Sequence, residues 1–272
     1  MKTTIKLVLI YLGAQILSSM IVLIPNTFYN ISQGNSLDTV SSQAIAITMF
    51  LGFFIMGGYL WKAGYISTDK RTWSPVSGIY LVFTTLIWLA SIIILEHLFS
   101  LLPEIPNLLK SDFDTLQSGW LGILSIALFG PILEELMFRG AIMRALLKKY
   151  NPTKAIILSA LIFGIIHFNP AQIVAGAILG LLLGWIYYKT ASLIPCILIH
   201  ILNNSLSVYL NLKYPDVEYA KDLFTGNTYS IVLIAAIIIF VGSILWMKQV
   251  TIPFPWKEER VEEHYNEVKN EE

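Results

Sequence analysis

Apolar runs of about 20 residues, the length a helix needs to cross the hydrocarbon core of a bilayer, recur along almost the whole chain. They fall at roughly 5–25, 42–60, 77–99, 118–148, 154–168, 171–188, 191–211 and 229–247. Lipid offers no partner to a backbone N–H or C=O, so spans of this length are helices. Of the 272 residues, 56% are hydrophobic and 13% charged, with mean hydropathy +0.67. Soluble domains carry about 25% charged residues. The sequence therefore predicts an all-α fold, a polytopic membrane bundle of about eight transmembrane helices.

Other classes drop out quickly. Net charge is zero and no basic stripe occurs, so no nucleic-acid partner is expected. Cys196 stands alone, which excludes a disulfide framework and a cysteine-based metal site. The first apolar run follows Lys2 and Lys6 but exceeds the usual signal-peptide core and lacks an Ala-x-Ala cleavage pattern, so it reads as a retained helix. With the N-terminus in the cytoplasm, the outer loops hold only Lys110, Lys213 and Lys221. All other loop and terminal basic residues fall inside, as the positive-inside rule requires, and both termini are then cytoplasmic. The chain divides into N-terminal helices (1–115), a motif-bearing core (116–211), an outer loop with the last helix (212–250) and a polar tail (251–272). That tail is long enough for a short surface helix, and its His264 is expected to be solvated.

The fourth run, Trp120 to Leu147, carries Glu134, Glu135 and Arg139 at its middle. Ionisable groups in hydrocarbon cost a few kcal/mol even on lenient scales and mark functional sites. At 1.5 Å per residue, Glu134 lies roughly 21 Å from the anchor Lys148, and His167 roughly 20 Å from Lys154. His200 and Asn204 lie roughly 16 and 22 Å from Lys189. Polar side chains on three helices thus share one layer. Phe163 with His167, His200 with Asn204, and Glu135 with Arg139 are all spaced i,i+4, so each pair shares a helix face. Glu134 projects about 100° away from Glu135. The expectation is that Arg139 neutralises Glu135 while Glu134 faces a cavity. Pro131 should break the helix hydrogen bonding and kink it, and Gly130 and Gly140 should permit close helix approach.

The series Glu134-Glu135-x-x-x-Arg139, Phe163-x-x-x-His167 and His200-x-x-x-Asn204 resembles the three-motif signature of the CPBP family. That family comprises CAAX proteases, bacteriocin-processing (Abi) enzymes, type II CAAX prenyl endopeptidase-like proteins and lysostaphin resistance protein A-like members. The resemblance spans Gly130 to Asn204. It implies that Glu134 is the catalytic glutamate and activates water together with His167. His200 and Asn204 would stabilise the oxyanion, and Glu135, Arg139 and Phe163 would support the site. It also implies an integral membrane protein of a prokaryotic plasma membrane, with the lipid bilayer and a peptide or protein substrate as partners. The pattern assigns no role to Asn203.

The chemistry agrees with that division. Peptide hydrolysis needs a base to take a proton from water and donors for the carbonyl oxygen as it becomes negative. A carboxylate and an imidazole suit the first task, an amide and an imidazole the second. Glu134, His167 and His200 would also make a plausible His2Glu zinc set, although no HExxH motif is present. A divalent metal thus remains an open alternative to a metal-free glutamate mechanism. Phe163 reads as cavity wall, and Cys196 as a small buried hydrophobe. The expected function is an intramembrane endopeptidase that cleaves a membrane-associated or lipid-modified substrate from a cytoplasm-facing cavity. The alternative is a non-catalytic immunity or scaffold protein that keeps a polar core for assembly.

Overall fold

The structure, a computed structural model, describes residues 1–34, 40–215, 217, 220–224 and 226–250. The polar tail and His264 lie outside the described residues. Nine α-helices occur among those described, and no strand: α1 (Lys2–Ser32), α2 (Ser42–Lys62), α3 (Gly78–Phe99), α4 (Lys110–Gln117), α5 (Trp120–Lys149), α6 (Pro152–Ile165), α7 (Pro170–Thr190), α8 (Ile194–Lys213) and α9 (Thr228–Val250). All but α4 and α6 are long and apolar enough to cross a membrane. The all-α polytopic bundle is therefore what the chain forms.

Helix starts follow local chemistry. Ser41, Ser77 and Asn151 accept hydrogen bonds from the backbone N–H groups of Ala44, Tyr80 and Lys154, which relieves unpaired first-turn donors. Pro152, Pro170 and Pro195 sit in first turns, where a missing N–H costs nothing.

The span expected at 154–168 differs from the others. Helix α6 has 14 residues, about 21 Å, and is shorter than a hydrocarbon core of about 30 Å. It stops at Ile165, so His167 lies in the turn beyond it rather than on the helix face predicted from its spacing. The turn ends at Phe168, whose φ of 53° is left-handed. A phenylalanine held there is strained and must be fixed by its surroundings. Asn169 does the fixing. Fully buried, it donates from Nδ2 to Asn107 Oδ1 at 2.8 Å and accepts the Leu108 N–H at 3.0 Å. The α3–α4 loop is thereby pinned over the α6–α7 turn.

Ties at the opposite end hold α8. Leu193 N–H donates to Thr72 O at 2.8 Å, and Ser192 Oγ donates to Ser74 O at 2.6 Å. The α2–α3 loop making these ties is itself stabilised by Asp69, which accepts the Arg71 N–H at 2.9 Å. That bond holds the Asp69 carboxyl below its ordinary pKa.

Helices α6 and α7 pack through glycines. A Cβ at Gly164 would collide with the Ile173 carbonyl, and one at Gly180 would fall 2.9 Å from Ala160 Cα. Gly176, Gly180 and Gly184 repeat at four-residue spacing, so one face of α7 has no side chains and meets α6 backbone to backbone. This close approach leaves the Gly180 carbonyl accessible to a donor from α5. Gly164→Ala is expected to lower stability by about 1–3 kcal/mol through overpacking. Gly58→Ala, with nothing within 4 Å of the added carbon, should be neutral or slightly stabilising. Thermal unfolding of the two variants in detergent measures the difference.

Candidate active site

Helix α5 carries the glutamates and is not a uniform α-helix. Its ladder shifts to π-type at Ser125–Phe129 and again at Leu136–Met143. Pro131 explains the first shift. The Gly130 N–H reaches back to Ser125 O, and the residue that would next serve Ile126 O is Pro131, which has no N–H. A carbonyl inside the bundle is left without a backbone donor. Asn204 supplies one from α8, donating from Nδ2 to Ile126 O at 2.9 Å. The expected break at Pro131 thus takes the form of a π turn, closed by a side chain of the third motif. Wide turns of this kind are frequent at functional sites.

Arg139 and Glu135 form the centre of the site. Both side chains are fully buried, and Arg139 Nη1 lies 2.7 Å from Glu135 Oε1. Arg139 Nη2 donates to Gly180 O at 3.2 Å, using the carbonyl that the glycine face of α7 leaves open. The guanidinium lies 4.9 Å from the centroid of Phe163, whose ring lends its negative face to the cation. Phe163 also meets Phe138, His167 and His200 edge-on, at 4.9, 5.2 and 5.6 Å between centroids. It is a wedge between the two histidines and a cover over the cation.

His200 joins the two glutamates. Its Nδ1 is 2.8 Å from Glu135 Oε1, and its Nε2 is 3.7 Å from Glu134 Oε2. A carboxylate can only accept, so the His200 Nδ1 carries the proton and donates. Adjacent glutamates that project differently from α5 therefore meet opposite nitrogens of one ring. His167 is set the same way: its Nδ1 lies 2.8 Å from Phe163 O, and a carbonyl also only accepts. Both imidazoles are tied at Nδ1, which leaves Nε2 for chemistry. Exposure grades across the site. Glu135 and Arg139 are closed off, His200 is 3% exposed and Glu134 is 14% exposed.

Comparison with known proteins bears on this core. Residues 116–206 match the family model described as type II CAAX prenyl endopeptidase Rce1-like. The likeness to that family covers the motif-bearing core and less than half of the chain. One relative, the Bacillus subtilis (strain 168) protein named "Putative membrane peptidase YdiL", is 32% identical over 104 residues. That match covers 38% of this chain and 43% of the relative, less than half of either. No solved structure matches the chain.

Within this core the second glutamate does more than offset Arg139, since it also fixes the His200 ring. Spacing along α5 could not reveal a contact made from α8. One residue outside the motifs also approaches the site. Tyr11 of α1 is hydrogen-bonded to Gln15 and lies within electrostatic reach of Glu134. The Gln15 amide occupies the space above Gly52, where a Cβ would fall 2.5 Å from its Oε1. The i,i+4 spacing of this polar pair in an apolar helix was the available sequence signal. Cys196 is buried, with Sγ directed at the carbonyls of Leu183 and Ser192 at 3.5 and 3.7 Å, which fits a packed thiol rather than a nucleophile. Glu134, His167 and His200 are suitable donor types for zinc. Among the described residues, however, no group of three or more His, Cys, Asp or Glu side chains is placed to hold a metal ion.

Removing one member of a buried ion pair strands the other in a medium that cannot solvate it. Arg139→Met is expected to cost about 3–5 kcal/mol. The double variant Glu135→Met with Arg139→Met should regain part of that stability, because no charge is left alone. Chemical unfolding of both variants in the same detergent checks the order.

Proposed function

We propose that this protein is an intramembrane endopeptidase that hydrolyses a peptide bond of a membrane-associated or lipid-modified substrate. The observation that carries the reading is the series Arg139, Glu135, His200, Glu134, which runs from a fully buried cation to a partly exposed carboxylate. A polar core built only for assembly would have no need to end on a partly exposed acid facing the His200 Nε2.

In this mechanism Glu134 takes a proton from water while the His167 Nε2 accepts a hydrogen bond from the same water. The hydroxide so formed adds to the scissile carbonyl carbon. Charge develops on the carbonyl oxygen, which receives hydrogen bonds from the His200 Nε2, in its protonated form, and from the Asn204 amide. Glu135 stabilises the imidazolium through Nδ1, as a carboxylate does in a serine-protease triad. When the tetrahedral intermediate collapses, the C–N bond breaks and the proton held by Glu134 passes to the leaving amine. Arg139 holds Glu135 in place throughout.

The basic residues at helix ends support an orientation with both termini in the cytoplasm of a prokaryotic plasma membrane. The membrane-peptidase name of the bacterial relative supports the peptidase reading. Candidate substrates are prenylated CAAX proteins, bacteriocin leaders, signalling peptides and anchored surface-protein precursors.

Glu134→Gln is expected to reduce cleavage by at least about 100-fold with unchanged unfolding temperature. Asn204→Ala should lose about 100–1000-fold, the usual cost of one oxyanion donor. Cleavage of prenylated and unprenylated CAAX peptides by purified protein, with and without a chelator, is the measurement. Equal cleavage by wild type and Glu134→Gln would support the scaffold alternative, and loss on chelation would point to a metal.

A further inference from the structure

The three-motif pattern leaves Asn203 without a role, yet it lies in a hydrogen-bonded series that crosses three helices. The Trp88 indole N–H of α3 donates to Asn203 Oδ1 at 3.1 Å. Asn203 Nδ2 donates to Asn204 Oδ1 at 3.3 Å, and Asn204 Nδ2 donates to Ile126 O at 2.9 Å. Every bond in the series runs the same way.

The two ends impose that direction. An indole N–H can only donate and a backbone carbonyl can only accept, whereas each amide between them could face either way. With a donor at one end and an acceptor at the other, one orientation of each amide satisfies all three bonds. Flipping Asn204 would set its oxygen against Ile126 O and its NH2 against that of Asn203. Trp88 is 5% exposed, so water does not readily replace its bond.

The geometry points to Trp88 and Asn203 as positioning residues that lock the Asn204 amide with its nitrogen towards the Pro131 break. This rests on the hydrolytic reading, in which Asn204 must present N–H to the oxyanion. Its Nδ2 has two hydrogens; one goes to Ile126 O, and the second is the one available to a reacting oxygen. A flipped amide would place a carbonyl oxygen against the developing negative charge. The same bonds set the spacing between α8 and the π turn of α5, and hence the distance between the oxyanion side and Glu134.

Asn203→Leu removes both the acceptor for Trp88 and the donor to Asn204. It is expected to lower kcat for the CAAX peptide by about 10–100-fold, the scale of a small misplacement, with KM nearly unchanged. Trp88→Phe should show a smaller fall of the same kind. Asn203→Asp separates positioning from packing. When protonated, the new carboxyl can still donate to Asn204 Oδ1; when ionised it cannot. The activity of that variant relative to wild type should therefore be highest at acid pH and fall as pH rises, while the ratio for Asn203→Leu stays flat. Hydrogen exchange at the Trp88 indole, followed by NMR on tryptophan-labelled protein, should accelerate in Asn203→Leu and not in Glu134→Gln.

Wild-type kcat in both Asn203→Leu and Trp88→Phe, with Asn204→Ala impaired, would overturn the proposal. So would a flat ratio for Asn203→Asp or unchanged indole exchange in Asn203→Leu. If Glu134→Gln cleaves like wild type, the hydrolytic reading itself has failed, and the exchange measurement still decides whether the hydrogen-bonded series exists.

Discussion

A guanidinium buried among apolar helices has to be neutralised, and the rest of this bundle is arranged around meeting that demand at Arg139. Glu135 supplies the opposite charge one turn away. The Gly180 carbonyl takes a second N–H, and Phe163 covers the planar face. A buried ion pair contributes little to stability by itself, because desolvation consumes most of the Coulomb gain. Its effect is specificity. Helices α5, α6 and α7 have few relative positions in which all these partners are reached, and His200 from α8 is admitted only where Glu135 Oε1 can accept its Nδ1–H.

Two departures from regular helix make that geometry possible. Pro131 removes a donor from α5, and the π turn that accommodates it leaves Ile126 O to be satisfied by Asn204. The glycines at 176, 180 and 184 remove side chains from α7, and α6 settles against bare backbone. Without the first, α8 would lack its tie to the glutamate-bearing helix α5. Without the second, the Gly180 carbonyl would be screened from Arg139. Local losses of helix quality are thus converted into contacts between helices, which in lipid carry much of the stabilisation that water-driven burial supplies elsewhere.

The short helix α6 serves the site in another way. Because it ends at Ile165, His167 is presented from a turn, with Nδ1–H held by Phe163 O. The turn is strained at Phe168 and clamped by Asn169, whose bonds to Asn107 and Leu108 bring the α3–α4 loop over it. A regular span through this region would have aimed the imidazole by helix phase alone.

Composition and apolar run length were enough to determine an all-α membrane bundle, because lipid permits little else for segments of that kind. The cost of charge in hydrocarbon singled out Glu134, Glu135 and Arg139, and i,i+4 spacing paired Glu135 with Arg139, since those constraints act within one helix. Spacing put Phe163 and His167 side by side, as their rings are, but His167 reaches that place from the turn beyond α6, and the apolar run there forms a shorter helix than the other seven. The link from Glu135 to His200, the closure of Ile126 O by Asn204, the place of Asn203 beside Trp88 and the approach of Tyr11 towards Glu134 were decided by tertiary structure alone. Each joins residues of different helices, and the rotation and depth of one helix against another depend on packing across the whole bundle, which no single segment contains.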